Sequence, residues 1–115
     1  MDRTTVYMSA QKQKTLQDIH QAIHLIQGAE QVSKTVQNIN GVEIWTLVYE
    51  MFYFRTSSYA SLTVVLTEYD DKQTACIVGA AGGSGMINLS YGANRDCVTK
   101  CENALKGCGF DFTYF

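Results

Sequence analysis

Proline is absent from this 115-residue chain. That excludes a cis-proline turn and any proline-rich docking segment. Charge is also scarce: nine Lys and Arg and eleven Asp and Glu make up 17% of the residues and leave a net charge of −2. The basic residues are scattered and form no run. That argues against a nucleic-acid partner held by phosphate neutralisation. No apolar stretch approaches a membrane span; the longest, Ile44 to Phe54, is broken by Thr46 and Glu50. The start, Met1-Asp2-Arg3-Thr4-Thr5, lacks the apolar core of a signal peptide. These absences predict no membrane partner and a cytoplasmic address, where the four cysteines are thiols.

What is present suits one domain over residues 1–115 with one core: 46% of the residues are hydrophobic. Thr4 to Met8 reads as a short strand, with Ser9 as the cap of a helix over Gln11 to Gln27. Its stripe is Leu16, Ile19, Ile23 and Ile26, and Gly28 is its stop. Gln31 to Gln37 reads as a weak strand. Asn40-Gly41 is a favoured hairpin dipeptide, and it introduces a long strand, Val42 to Arg55. Tyr59 to Tyr69 alternates as a strand, Asp70-Asp71-Lys72 turns the chain, and Gln73 to Ala81 is the next strand. Met86 to Tyr91 reads as extended. Asn94 then caps a second helix from about Arg95 to Lys106, ended by Gly107 and Gly109. The tail, Phe110 to Phe115, is a strand or a packed arm. Hairpin-linked strands exclude a parallel doubly wound sheet. The predicted fold is α+β in two layers, an antiparallel sheet of about four to six strands with two helices on one face.

The strand Val42 to Arg55 is apolar on both sides. One side carries Val42, Ile44, Val48, Phe52 and Phe54; the other carries Trp45, Leu47, Tyr49, Met51 and Tyr53. Helices cover one face of such a sheet. The expectation is that Trp45, Tyr49, Met51 and Tyr53 form the uncovered face and make a self-association interface. The alternative is a central strand whose second face is covered by the aromatic tail.

Gly79-Ala80-Ala81-Gly82-Gly83-Ser84-Gly85 concentrates four of the nine glycines. A phosphate loop needs Lys after its last Gly and a helix at once, and both are missing here. The segment reads as a turn or kink in the sheet. Its second reading is a backbone cradle for a small ligand or anion, with Gly82, Gly83, Ser84, Gly85, Asn88 and Tyr91 as the binding residues. Ser90 lies beside them.

Cys97 and Cys101 share one helical face but lie on its apolar stripe. They read as core residues, with a metal or thiol sensor as the weaker alternative. His20 and His24 are four apart, yet position 21 is Gln rather than the Glu of a metalloprotease helix. Glu68, Asp70 and Asp71 mark a turn rather than an enclosed acid–base pair. No metal site, cofactor or catalytic residue is predicted.

Tyr53-Phe54-Arg55-Thr56-Ser57-Ser58-Tyr59-Ala60-Ser61-Leu62, the Gly82-Gly83-Ser84 block and Ile87-Asn88-Leu89-Ser90-Tyr91-Gly92 before the last helix carry a resemblance. Over Tyr49 to Leu105 the chain resembles a small bacterial family known only as domain of unknown function 6054. The cysteines and the tail after Lys106 look like additions to it. The resemblance implies no activity and assigns no site residue. The reading is a non-enzymatic interaction module that forms a homodimer or larger homo-oligomer, with a small-molecule ligand at the glycine segment as the alternative.

Overall fold

The computed structural model describes residues 5–53, 58–82 and 87–113. Its elements are β1 (Thr5–Gln11), α1 (Leu16–His24), β2 (Ala29–Ile39), β3 (Val42–Tyr53), β4 (Ser58–Tyr69), β5 (Lys72–Gly82), α2 (Ile87–Lys106) and β6 (Asp111–Phe112). The strands form one antiparallel sheet in the order β2-β3-β4-β5-β1-β6. The α+β architecture is as the sequence predicts, and α2 packs across β4 and β5 while α1 lies beside α2 and reaches β2.

Local chemistry accounts for the meander. Asn40 and Gly41 sit at φ 51° and 86° between β2 and β3. That is the two-residue turn whose twist matches a hairpin, and Asn and Gly tolerate it. Asp70 and Asp71 adopt φ 49° and 67° and close β4 onto β5 in the same way. Between these turns the strands alternate. Leu62, Val64 and Leu66 of β4 and Ala75 and Ile77 of β5 are buried under the helices, joined by Ile19 and Ile23 of α1 and by Val98, Cys101 and Leu105 of α2.

Both helices depart from their predicted bounds. β1 runs through Ser9 to Gln11, so Ser9 caps nothing; Thr15 is the cap of α1. The Asp18 amide donates to Thr15 Oγ1 at 3.1 Å and the Thr15 amide to Asp18 Oδ2 at 3.4 Å. This reciprocal pair satisfies two amides that the first helical turn would leave bare. The second helix starts at Ile87 rather than near Arg95, so Ile87 to Tyr91 is helical and Asn94 lies inside it. Short apolar runs fit a strand or a helix equally well, and a single glycine such as Gly92 does not stop an established helix.

One polar residue fastens the β1–α1 connection to the sheet. Gln73 is fully buried, and its Nε2 donates to the Lys14 carbonyl and to Glu68 Oε1, both at 2.8 Å. Lys12 Nζ reaches Glu68 Oε2 at 3.0 Å. Burial alone would push the Glu68 carboxyl up. The hydrogen bonds from Gln73 and Lys12, with the Lys12 charge, outweigh it and hold the group below its ordinary 4.5. A lowered carboxyl stabilises the fold above its unfolded-state value, and that contribution is lost as pH falls through the folded-state value. Thermal unfolding of Lys12→Met should therefore lose less stability than the parent between about pH 5 and 3. Parallel acid limbs for the two proteins would contradict this.

Candidate interaction surface

The helices leave one face of the sheet open. At its centre stand Ile44, Thr46 and Val48 on β3, Thr63, Val65 and Thr67 on β4, and Thr74, Cys76 and Val78 on β5, all half-buried. The registers place them in rows; one row runs Tyr7, Cys76, Val65, Thr46, Thr35 across five strands. None of these side chains is charged. β-branched residues suit this pleated surface because they pack against their cross-strand neighbours. The Thr67 and Thr74 hydroxyls hydrogen-bond to each other across β4 and β5.

Larger apolar groups surround this centre. Tyr7, Ile39, Phe52, Tyr59 and Tyr69 are exposed on the same face, with Tyr59 and Tyr69 more than half exposed at 56% and 59%. The Phe52 and Tyr59 rings pack 4.8 Å apart between centroids. Among the described residues, charge appears on this face only towards the ends of the strands. Glu30 and Glu50 stand directly opposite each other at one end, and Lys72 pairs with Tyr69 at the other.

The two sides of β3 are exchanged relative to the sequence reading. Trp45, Tyr49 and Met51 are buried under the helices, and Tyr53 is half-buried against the same core. Trp45 Nε1 donates to Glu43 Oε2 at 3.0 Å, and Lys34 Nζ lies 4.7 Å from the Trp45 ring centre. The Tyr49 hydroxyl donates to Gln31 Oε1 at 3.4 Å, which also lies 2.7 Å from His20 Nε2. Burial, with Cys101 nearby, pushes the Tyr49 hydroxyl up to about 12. Burial and a 2.8 Å hydrogen bond to Asp96 raise Tyr53 as well. The side that carries Ile44, Val48 and Phe52 is the open one.

The family model of DUF6054, a family of unknown function, matches residues 1–109. The chain belongs to DUF6054. No curated protein and no solved structure matches it. The DUF6054 match runs past Lys106 to Gly109 and takes in β1 to β5 and both helices, whereas β6 lies outside it.

The other candidate residues of this DUF6054 chain fall elsewhere. Gly79 to Gly82 belong to β5, opposite Leu62 to Tyr59 of β4, so this half of the glycine segment is regular strand. Gly79 is buried on the side of β5 that carries Ala75 and Ile77 towards the helices. Gly83, Ser84 and Gly85 lie outside the described residues. Asn88 and Tyr91 are in the first turns of α2. Cys97, Cys101 and Cys108 are buried, Cys76 is half-buried, and burial pushes all four thiols up, Cys97 to about 11. Such thiols stay protonated and are poor nucleophiles. The His20 and His24 rings are 5.8 Å apart, and His20 Nδ1 is buried without a hydrogen-bond partner among the described residues. Among those residues no three His, Cys, Asp or Glu side chains converge to hold a metal ion, and no helix is long and apolar enough to cross a membrane.

One residue that sequence reasoning missed is Gln31. It is an ordinary polar residue on an edge strand, yet its amide gathers His20 and Tyr49 from two other elements. A register shift between Gln31 and Ser33 turns Gln31 towards the helices while Ser33 joins the open face beside Val48. Bulges re-aim side chains in this way, and nothing local in the sequence announces one.

Proposed function

We propose that this chain is a non-enzymatic interaction module that pairs with a second copy of itself through the open face of the sheet. One observation carries the reading: an uncharged, half-buried centre of β-branched residues ringed by five exposed large apolar side chains. Large exposed apolar groups gathered around an uncharged centre mark interaction sites. In a two-fold contact the same patch meets itself, so a charged centre would oppose like with like. An uncharged one avoids that cost.

The size is also right. The four meander strands have 11 or 12 residues each. At ~3.3 Å per residue and ~4.8 Å between strands they present roughly 700 Å². A stable contact buries about 800 Å² on each partner. Two such faces stack about 10 Å apart, with their side chains interdigitated. The same reading places the protein in a bacterial cytoplasm, where a reducing environment keeps Cys76 a thiol within the contact.

Cys76 reports on this contact without any substitution, because it lies at the centre of the open face while the other three cysteines are buried in the core. Sedimentation should show mass rising towards a dimer with concentration. Over the same range, iodoacetamide should label Cys76 before the other three thiols and progressively more slowly. A chain that stays monomeric at high concentration, with Cys76 labelling unchanged, would overturn the proposal.

A further inference from the structure

The two edges of the sheet are guarded differently. β2 carries its own protection: the register shift between Gln31 and Ser33, and the charged residues Glu30 and Lys34. Bulges and charges on an edge discourage the addition of another strand. β1 has neither. Its sequence, TVYMSAQ, contains no charge and no proline, and its register with β5 runs unbroken from Thr5 opposite Val78 to Gln11 opposite Lys72. What covers its outer edge is β6. Phe112 lies opposite Met8, Asp111 lies opposite Ser9, and the Thr113 amide donates to the Tyr7 carbonyl at 2.9 Å.

This cover is small and separate. β6 has two residues against seven in β1. It hangs from the turn that ends α2, where the Phe110 amide donates to the Leu105 carbonyl and the Phe110 ring enters the core. Lys106 Nζ rests 4.5 Å from the Phe112 ring centre. The DUF6054 match ends at Gly109, before any of these strand residues.

We propose that residues 111–113 are a detachable cap, and that the β1 edge beneath them is a second docking site whose occupant is the β1 edge of another copy. An antiparallel pairing of β1 with itself centred on Ser9, which sets Tyr7 opposite Gln11 of the other copy, brings together only uncharged residues. It supplies partners for the carbonyl and amide groups that the cap now covers. A strand already seated there shows that the edge accepts one in antiparallel register, and the absence of charge means that nothing else on β1 would repel a copy. This inference does not depend on the open-face contact.

The test removes the open face from the measurement first. In a Val65→Lys background, the full chain is compared with one stopped after Phe110 and with a full-length Thr113→Pro variant, whose residue 113 has no N–H to give Tyr7. At concentrations where the Val65→Lys chain sediments as a monomer, the shortened chain should double in mass, and Thr113→Pro should do so in part. Adding Ser9→Lys to the shortened chain should return it to the monomer, as lysine on an edge does. If the shortened chain does not fold, Thr113→Pro with and without Ser9→Lys decides. Monomers throughout, or a dimer indifferent to Ser9→Lys, would overturn the cap. A parent chain that never associates would count against the open-face reading alone.

Discussion

Tyr49→Ala should lower the free energy of unfolding in urea by about 3–5 kcal/mol, the range for emptying a large aromatic site in a core. Phe52→Ala, three residues along the same strand, should cost about 1 kcal/mol, close to the value of a surface ring pair. Tyr49 is completely buried, its ring lies 6.4 Å from that of His24, and its hydroxyl donates to Gln31. Truncation would leave a cavity between α1 and the sheet. Phe52 is 41% exposed on the open face and its ring packs against that of Tyr59. The pair of measurements decides which side of β3 faces the helices. Equal costs at the two positions would contradict this packing.

Gln73→Ala should destabilise the chain by about 2–4 kcal/mol, from a lost buried side chain and from groups left without partners. The substitution strands the Lys14 carbonyl and takes one hydrogen bond from Glu68, loosening the connection between β1 and α1 where it crosses the sheet. Gln73→Leu keeps most of the volume, loses the two hydrogen bonds and removes a buried Oε1 that has no partner among the described residues, so it should cost about 1–2 kcal/mol. A difference between the two variants apportions the effect between packing and polar contacts. If Gln73→Leu were more stable than the parent, the amide would be a burden rather than a fastening.

Much of the architecture was legible in residue order. Asn40-Gly41 announces a hairpin, and Leu62, Val64 and Leu66 announce a strand with one buried side. The exchange of faces in β3 was not legible, for a definite reason. Period-two alternation sorts Trp45, Tyr49 and Met51 from Ile44, Val48 and Phe52, but both sets are apolar, and only the position of the helices says which set is inside. Gln73 and Gln31 were invisible because glutamine reads as a surface residue until its partners are known. The start of α2 was hidden in a short apolar run that fits either secondary structure. The pairing of β1 with β5 joins residues far apart in the chain, and no local pattern encodes it.

That last pairing has a consequence for synthesis. β1 leaves the ribosome long before the strand it pairs with, since Gln11 waits for Lys72 and Thr5 for Val78. At ~5–20 residues per second, the interval is roughly 3–15 s. Throughout it, Val6 and Met8, buried in the finished protein, have no sheet to enter. The meander from β2 to β4 closes through neighbouring hairpins in the meantime, so β1, made before the other strands of this sheet, is among the last of them to be placed. A nascent chain of this design is most exposed to chaperones and to wrong partners just before β5 emerges.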